Sequence, residues 1–280
     1  MVSQEQRRRQ LAREKFLRQQ QRRTSARRKA RMRNSVIASV LGVVVIGSVA
    51  LYTTGVLKNS DDKKNSASSS ATPSAAPSSK APDPCQKPAA GAIKKETWKK
   101  EPAMSIDTSA KYSMKLATTC GDIGIALKAS AAPHTVNSFD FLAGKGFFDH
   151  TKCHRLTTNG IYVLQCGDPQ GTGMGDPGYK LPDENLKDAS LKGNSYPAGT
   201  VAMANSYNAQ TKQGRNTGGS QFFLVYKDSP LPPDYTPFGT IDAAGMKVLG
   251  KIAAAGENTG AGDGAPNATV VINKATVTKS

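Results

Sequence analysis

The residues best suited to chemistry lie in one stretch, FDHTKCHRLTTNGIYVLQCGD, which covers residues 148–168. Apolar and alternating residues on both sides of the polar tip TTNG predict a two-stranded hairpin. Because side chains alternate along a strand, such a hairpin can bring the Arg155 guanidinium and the Gln165 carboxamide to one face of a sheet. We expect a patch rich in hydrogen-bond donors beside Tyr162 and Val163.

Several local strings that could suggest other chemistries do not fit their context. The string GMGDPG at 173–178 matches G-x-G-x-x-G, but no helix follows it, so we interpret it as a loop and not as a nucleotide site. No G-x-S-x-G nucleophile elbow occurs in the sequence. His134, His150 and His154 are poorly spaced for metal ligation, and we expect them to be structural or on the surface. We therefore predict neither a metal nor a cofactor.

The elements that must position this patch are short. Two helices are predicted, one from near Pro133 to about Gly144 and one over Ala243–Ala255 that ends at Gly256. Eight segments have the composition or alternation typical of strands: Tyr112–Leu116, Ile123–Leu127, Lys152–Leu156, Ile161–Gln165, Thr200–Ala204, Gln221–Tyr226, Phe238–Ile241 and Thr269–Thr276. We predict a mainly-β fold, a closed eight-stranded antiparallel barrel capped by two α-helices, since closure removes exposed edges. An open sandwich is the alternative.

The sequence before the predicted barrel has a different composition. Residues 1–33 contain 13 Lys and Arg against two Glu, so a basic tail carries most of the net charge of +17. The 22 residues Val36–Leu57 have no charged side chain and are long enough to cross a bilayer as a helix. We predict a basic cytoplasmic tail at 1–35 and a single transmembrane helix at 36–57, with the rest outside the cytoplasm. The tail is expected to contact anionic lipid and not nucleic acid.

Residues 58–105 are rich in Ser, Ala, Pro and Lys and are predicted to be a disordered linker. The folded domain is then expected at 106–280, on a tether above the membrane. Trp98, the single Trp, lies near the end of this linker and is expected to pack on the domain and not to bind a ligand.

All four cysteines lie on the side of the predicted span where disulfides can persist. They are Cys85, Cys120, Cys153 and Cys166, and none forms a C-x-x-C pair. Their spacing leaves three full connectivities open. If Arg155 shares a face with Gln165, alternation puts Cys153 on that face and Cys166 on the other. This argues against a direct Cys153–Cys166 bridge, and free buried thiols remain an alternative.

Five strings, in this order, resemble the cyclophilin family of peptidyl-prolyl cis-trans isomerases. The family's strings are F-x-x-x-x-x-H-R, Q-x-G-D, M-A-N, G-S-Q-F-F and F-G. They occur here as Phe148 with His154-Arg155, Gln165 with Gly167-Asp168, Met203-Ala204-Asn205, Gly219-Ser220-Gln221-Phe222-Phe223 and Phe238-Gly239. The resemblance covers essentially all of 110–278, and the whole arrangement looks like the anchored extracytoplasmic cyclophilins of bacteria.

The resemblance implies an eight-stranded barrel with two capping helices and a peptide groove on its outer face. It implies that Arg155 is catalytic and that Gln165 assists it. No nucleophile, metal or cofactor is required. The substrate chain and its proline ring would be bound by Tyr162, Val163, Met203, Ala204, the backbone of Asn205, Gln221, Phe223, Leu231 and Tyr235.

Three features depart from the family pattern. Arg155 and Gln165 are ten positions apart where the family has eight, so Tyr162 and Val163 are aligned by counting back from Gln165. Cys153 replaces the usual Phe or Val. Pro230 and Tyr235 occupy the positions where many members have Trp and His. A Tyr can still line a proline pocket, but strong binding of the inhibitor cyclosporin is not expected.

The resulting expectation is an enzyme that isomerises Xaa-Pro bonds in secreted or envelope proteins. Its partners would be proline-containing polypeptides and, through Val36–Leu57, the membrane. Nothing in the sequence requires more than a monomer. The alternative is a chaperone or scaffold that grips proline-containing loops without significant turnover, and a hydrolase is a weaker third possibility.

Overall fold

The computed structural model describes residues 82–280. The predicted basic tail, the predicted transmembrane segment and the first part of the predicted linker lie outside the described residues. Within 82–280, neither of the helices is both long and apolar enough to cross a bilayer.

The core of the domain is one antiparallel sheet. Its strands are β1 (Tyr112–Thr118), β2 (Gly121–Leu127), β3 (Thr151–Lys152), β4 (Arg155–Thr157), β5 (Val163–Cys166), β6 (Thr200–Met203), β7 (Phe222–Val225), β8 (Pro237–Ile241), β9 (Asp263–Gly264) and β10 (Val271–Lys279). They are hydrogen-bonded in the order β3-β10-β1-β2-β8-β6-β7-β5-β4-β9. Every pair is antiparallel.

The mainly-β antiparallel prediction is confirmed, but the closed eight-stranded barrel is wrong. The described strands number ten, and their order is open, with β3 and β9 as its ends, so the sheet is a half-barrel. The predicted strand Lys152–Leu156 is divided, because residues 153 and 154 leave the strand conformation. The short β9 then pairs with β4, at Leu156 with Gly264 and Thr157 with Asp263.

Two helices pack with the sheet, close to the predicted bounds. α1 (Pro133–Gly144) begins with Pro at its first position and has no side-chain cap of its own. The Glu184 carboxylate instead accepts the backbone N–H groups of His134 and Thr135, at 3.0 and 2.9 Å. α2 (Ala243–Ala254) is capped by Asp242, which accepts the N–H of Gly245 at 2.6 Å. Both helix starts are therefore satisfied by carboxylates, which also favour the positive end of the helix dipole.

Apolar side chains collect on both faces of the curved sheet. The main cluster lies between the sheet and the helices, where the rings of Phe139, Phe148, Phe222 and Phe238 contact one another. A smaller cluster lies on the other face of β5, β6 and β7 and contains Val163, Tyr196, Ala202, Phe223 and Val225. This second cluster carries the candidate site.

Both cysteine pairs are bridged, Cys85 with Cys120 and Cys153 with Cys166. The prediction against a Cys153–Cys166 bridge is therefore wrong. Cys166 faces the main core as expected, since it belongs to the main apolar cluster. Cys153 reaches the same face because it precedes β4 and its N–H bonds to Val270 of the chain leading into β10, so the alternation counted back from Arg155 does not hold there.

Residues 82–105, predicted as part of the linker, contact the domain. This segment has no helix or strand, but Cys85 is bridged to Cys120. The Trp98 ring packs on Phe141 and Phe147, with ring centroids 5.1 and 6.0 Å apart. The Trp98 N–H also donates to the Pro177 carbonyl at 2.8 Å. The prediction that Trp98 packs on the domain is confirmed.

Candidate active site

The β4–β5 hairpin places Arg155 directly opposite Gln165. The two residues are Cα partners in the ladder, and Arg155 Nη1 donates to Gln165 Oε1 at 3.2 Å. The predicted common face is confirmed. The guanidinium is only half-buried, so it remains open to a ligand from the solvent side.

A carboxylate on the neighbouring strand β9 binds the other side of the guanidinium. Asp263 Oδ1 accepts from Arg155 Nε and Oδ2 accepts from Arg155 Nη2, both at 2.7 Å. The hydrogen bond to Asp263 raises the pKa of Arg155, and the same hydrogen bond lowers the pKa of Asp263. Both groups are thus charged at neutral pH. The sequence analysis did not identify Asp263.

A row of carboxamides continues from Arg155 along the sheet. Gln165 Nε2 donates to Gln221 Oε1 at 2.9 Å, and Gln221 Nε2 donates to the Gly175 carbonyl at 2.9 Å. Each side-chain nitrogen in the row donates to an acceptor, which orients the two carboxamides between Asp263 and Gly175. Such connected polar networks hold a site in one arrangement.

The loop that supplies the Gly175 carbonyl is the glycine-rich stretch interpreted above as a loop. It wraps around the buried carboxylate of Asp168, which accepts N–H groups from Gln170 at 2.7 Å and Gly173 at 2.6 Å, among others. Burial acts to raise the pKa of Asp168, but these backbone hydrogen bonds lower it overall. A Cβ at Gly175 would collide with Asp168, so the close approach requires glycine there.

An apolar cavity of about 220 Å³ lies next to the Arg155 guanidinium. Eight of the predicted site residues line it together with one that was not predicted. The predicted ones are Arg155, Val163, Gln165, Ala204, Asn205, Phe223, Leu231 and Tyr235, counting the catalytic pair, and the unpredicted one is Ile161. The size and apolar walls suit a small ring whose polar edge faces Arg155.

A second cavity of about 340 Å³ adjoins the first and shares Gln165, Ala204 and Asn205 with it. Gln221, the remaining predicted carboxamide, lines this second cavity. The salt bridge between Lys180 and Asp176, at 2.6 Å, lies at its wall. The two cavities are therefore neighbours along the face that carries Gln165 and Asn205.

Two predicted pocket residues lie elsewhere. Tyr162 does not line either cavity; its ring packs on Tyr226, with centroids 5.9 Å apart. Met203 is buried in the main core. Both departures have the same cause, because neighbours along a strand point to opposite faces. Ile161 takes the place expected of Tyr162 in the longer hairpin.

The apolar wall is reinforced by a buried Tyr that the sequence analysis missed. The Tyr196 ring packs edge-to-face on Phe223 and Tyr235. Its hydroxyl donates to the Tyr235 carbonyl at 2.6 Å and accepts the Tyr235 N–H at 3.0 Å. Burial raises the pKa of Tyr235, so this wall remains neutral at physiological pH.

Arg215 holds the loops that flank the groove. Its guanidinium pairs with Asp234 and stacks on the Tyr207 ring, 3.5 Å from the ring centroid. The Asn205 side chain donates to the Asp234 carbonyl at 2.8 Å. Asn205 is therefore fixed between the cavities by its own side chain, which is consistent with use of its backbone for binding.

The comparisons with known proteins agree with this geometry. The family model for cyclophilin type peptidyl-prolyl cis-trans isomerase/CLD matches residues 113–277. A probable peptidyl-prolyl cis-trans isomerase B of Mycobacterium leprae is 50% identical over an alignment of 175 residues that covers 58% of this chain and 56% of that protein. A peptidyl-prolyl cis-trans isomerase of Synechococcus elongatus is 39% identical over 136 residues, 48% of this chain and 83% of that protein.

A solved structure shares the fold. The crystal structure of a cyclophilin type peptidyl-prolyl cis-trans isomerase from Cryptosporidium parvum is similar with a TM-score of 0.51 and 26% sequence identity. The similarity covers 61% of this chain and 99% of that one. The chain spans a little over half the length of the Mycobacterium leprae relative.

Proposed function

Because the chain belongs to the cyclophilin-type peptidyl-prolyl cis-trans isomerase family, we propose that its domain catalyses rotation about Xaa-Pro peptide bonds. The observation that carries the proposal is the Arg155 guanidinium at the edge of an apolar cavity of about 220 Å³. A proline ring fits such a cavity, and the peptide nitrogen at its edge would then face the guanidinium.

The reaction needs a donor but no covalent step. Rotation is slow because the nitrogen lone pair is shared with the carbonyl, which gives a barrier of about 18–20 kcal/mol. A hydrogen bond from Arg155 to the prolyl nitrogen would draw the lone pair out of that resonance. It would therefore stabilise the twisted amide more than either planar form, which is the condition for catalysis.

Arg155 has N–H groups that can donate to a bound substrate. A guanidinium carries five N–H groups, and three of them are bonded to Asp263 and Gln165. Two N–H groups are not engaged by any residue of 82–280. One preorganised donor of this kind contributes roughly 3–4 kcal/mol, or about 10²–10³ in rate.

Two-dimensional exchange NMR of a short Ala-Pro peptide tests this proposal. Uncatalysed exchange takes tens to hundreds of seconds, so cross peaks between cis and trans signals at short mixing times report catalysis. We expect such cross peaks when the full chain, purified in detergent micelles, is added. Peptide binding without faster exchange would favour the alternative, a proline-binding chaperone or scaffold.

We propose further that the domain acts outside the cytoplasm on secreted or envelope proteins, anchored by Val36–Leu57. Two disulfides support this site of action, since such bonds persist mainly in oxidising compartments. The basic tail supports the orientation. Protease added to intact cells should release the domain, whereas protection until the cells are lysed would overturn the orientation.

A further inference from the structure

We propose that Asp263 is a positioning residue for Arg155, a role that rests on the isomerase function proposed above. The Asp263 carboxylate holds the guanidinium in one orientation beside the cavity that Arg155 lines. Asp263 does not itself line either cavity, so it acts through Arg155 and not on the substrate.

The contact has the geometry that best fixes a guanidinium. Both carboxylate oxygens are used, each at 2.7 Å from a different guanidinium nitrogen. Such a two-point contact sets the rotation of the planar group as well as its place. The bond to Gln165 is single and longer, at 3.2 Å. Asp263 is thus the stronger of the two restraints on Arg155.

The backbone places this carboxylate next to Arg155. Thr157 pairs with Asp263 and Leu156 with Gly264 in the β4–β9 ladder. One residue farther along, the Thr158 N–H donates to the Gly262 carbonyl at 2.9 Å. The strand that carries Arg155 is therefore bonded to the short strand that carries its partner.

A second carboxylate fixes the turn before Asp263. Glu257 is nearly buried, and its Oε2 accepts both the N–H and the hydroxyl of Thr259 at 2.6 Å. Its Oε1 accepts the Gly262 N–H at 2.9 Å. Gly262 has a φ of 88°, which favours glycine. The turn is thus preformed, and Asp263 is presented from a rigid support.

Stability alone does not account for this construction. The side chains of Arg155 and Asp263 are 39% and 55% exposed, and ion pairs of such exposure contribute little to folding. A long side chain at the rim of a cavity would otherwise sample several rotamers. Fixing it before the substrate arrives is the effect that matters for rate.

The test compares Asp263→Ala and Asp263→Asn with a matched control in the full chain, by exchange NMR at several concentrations of the Ala-Pro peptide. We expect Asp263→Ala to lower kcat about tenfold and to change KM less than about twofold. Asp263→Asn keeps one acceptor oxygen, so its kcat should lie between those of the wild type and Asp263→Ala. The control is Asp122→Ala, which removes another exposed ion pair, that of Asp122 with Lys115 at 2.6 Å, and should leave kcat unchanged.

A double substitution separates positioning from a general structural effect. With Arg155→Ala already present, Asp263→Ala should change the remaining rate by less than about twofold, since partners in one network are not additive. An equal loss in both backgrounds would overturn the proposal. So would an unchanged or higher kcat in the single variant, which would mean that holding Arg155 in place does not aid catalysis.

A readout independent of turnover distinguishes failure of this proposal from failure of the proposed function. The Arg155 Nε–H signal in ¹⁵N NMR should be slow to exchange with water in the wild type and in Asp122→Ala, fast in Asp263→Ala and intermediate in Asp263→Asn. If the wild type shows this protection but no catalysis, the isomerase function fails and the contact stands. If the protection survives in Asp263→Ala, positioning by Asp263 is disproved whatever the activity.

Discussion

Removal of the Cys153–Cys166 disulfide should affect both stability and catalysis. The bridge joins the residue two before Arg155 to the residue after Gln165, so it ties the two strands of the site together. We expect the Cys153→Ala/Cys166→Ala variant to lose stability and to lower kcat. The matched control is the Cys85→Ala/Cys120→Ala variant, because that bridge lies outside the β4–β5 hairpin.

The magnitudes follow from the lengths of the closed loops. A sequence separation of 13 for Cys153–Cys166 corresponds to about 3 kcal/mol in the free energy of unfolding, on the chain-entropy account. A separation of 35 for Cys85–Cys120 corresponds to about 4 kcal/mol. For a domain of this size, a loss of about 3 kcal/mol lowers Tm by about 6–12 °C.

The two variants should differ in activity. The site variant should lose about three- to tenfold in kcat, because Arg155 and Gln165 are no longer held in register, whereas the control should keep the wild-type kcat. Thermal melts and exchange NMR on the same samples measure both effects. A site variant that loses stability but keeps its kcat would refute the reasoning that the bridge positions the catalytic pair.

Three further outcomes follow from the structure. Ile161→Ala should lower kcat/KM about tenfold, whereas Tyr162→Ala should change it less than about twofold. Exchange NMR over a range of peptide concentrations measures both values. A larger effect of Tyr162→Ala would mean that Tyr162, and not Ile161, lines the pocket. Burial lowers the pKa of His154 from 6.5. As the pH falls below about 6.5, the unfolded chain therefore takes up a proton at His154 before the native state does. The free energy of unfolding decreases over this range. His154→Gln should therefore reduce the drop in Tm between pH 7 and pH 5, and an unchanged drop would assign it to other groups. Trp98→Ala should lower the free energy of unfolding by about 2 kcal/mol, measured by urea denaturation. No change would mean that the Trp98 ring does not contribute to attaching residues 82–105 to the domain.

Much of the site could be predicted because it depends on local rules. Arg155 and Gln165 were expected on one face from the period of two alone, and the ladder pairs them directly. α1 begins at Pro133 and ends at Gly144, as those two residue types indicate.

The same rule of alternation excludes the two predicted pocket residues that lie elsewhere, Tyr162 and Met203. Val163 and Gln165 are two apart and share a face, so their neighbour Tyr162 had to point away. Met203 likewise alternates with Ala204. Both residues were assigned to the pocket from the family resemblance and not from alternation.

Other features have no local signal. The break at residues 153 and 154, which brings Cys153 to the core, contains neither Gly nor Pro. Asp263 is 108 positions from Arg155 in the sequence, and only the pairing of β4 with β9 brings them together. The segment 82–105 has the composition of a linker, and its attachment depends on Cys85 and Trp98, whose partners the sequence does not identify.

The central claim is that Arg155 lowers the barrier to rotation by donating a hydrogen bond to the bound proline. Its most direct test is the exchange rate of the Ala-Pro peptide at saturation, measured for wild type, Arg155→Lys and Arg155→Ala, with peptide affinity measured alongside. We predict that Arg155→Ala lowers the rate at saturation at least about 100-fold, while affinity changes less than about threefold. Arg155→Lys should recover little, since a Lys cannot reproduce the planar two-point contact. An Arg155→Ala variant that binds the peptide and keeps the wild-type rate would contradict the account.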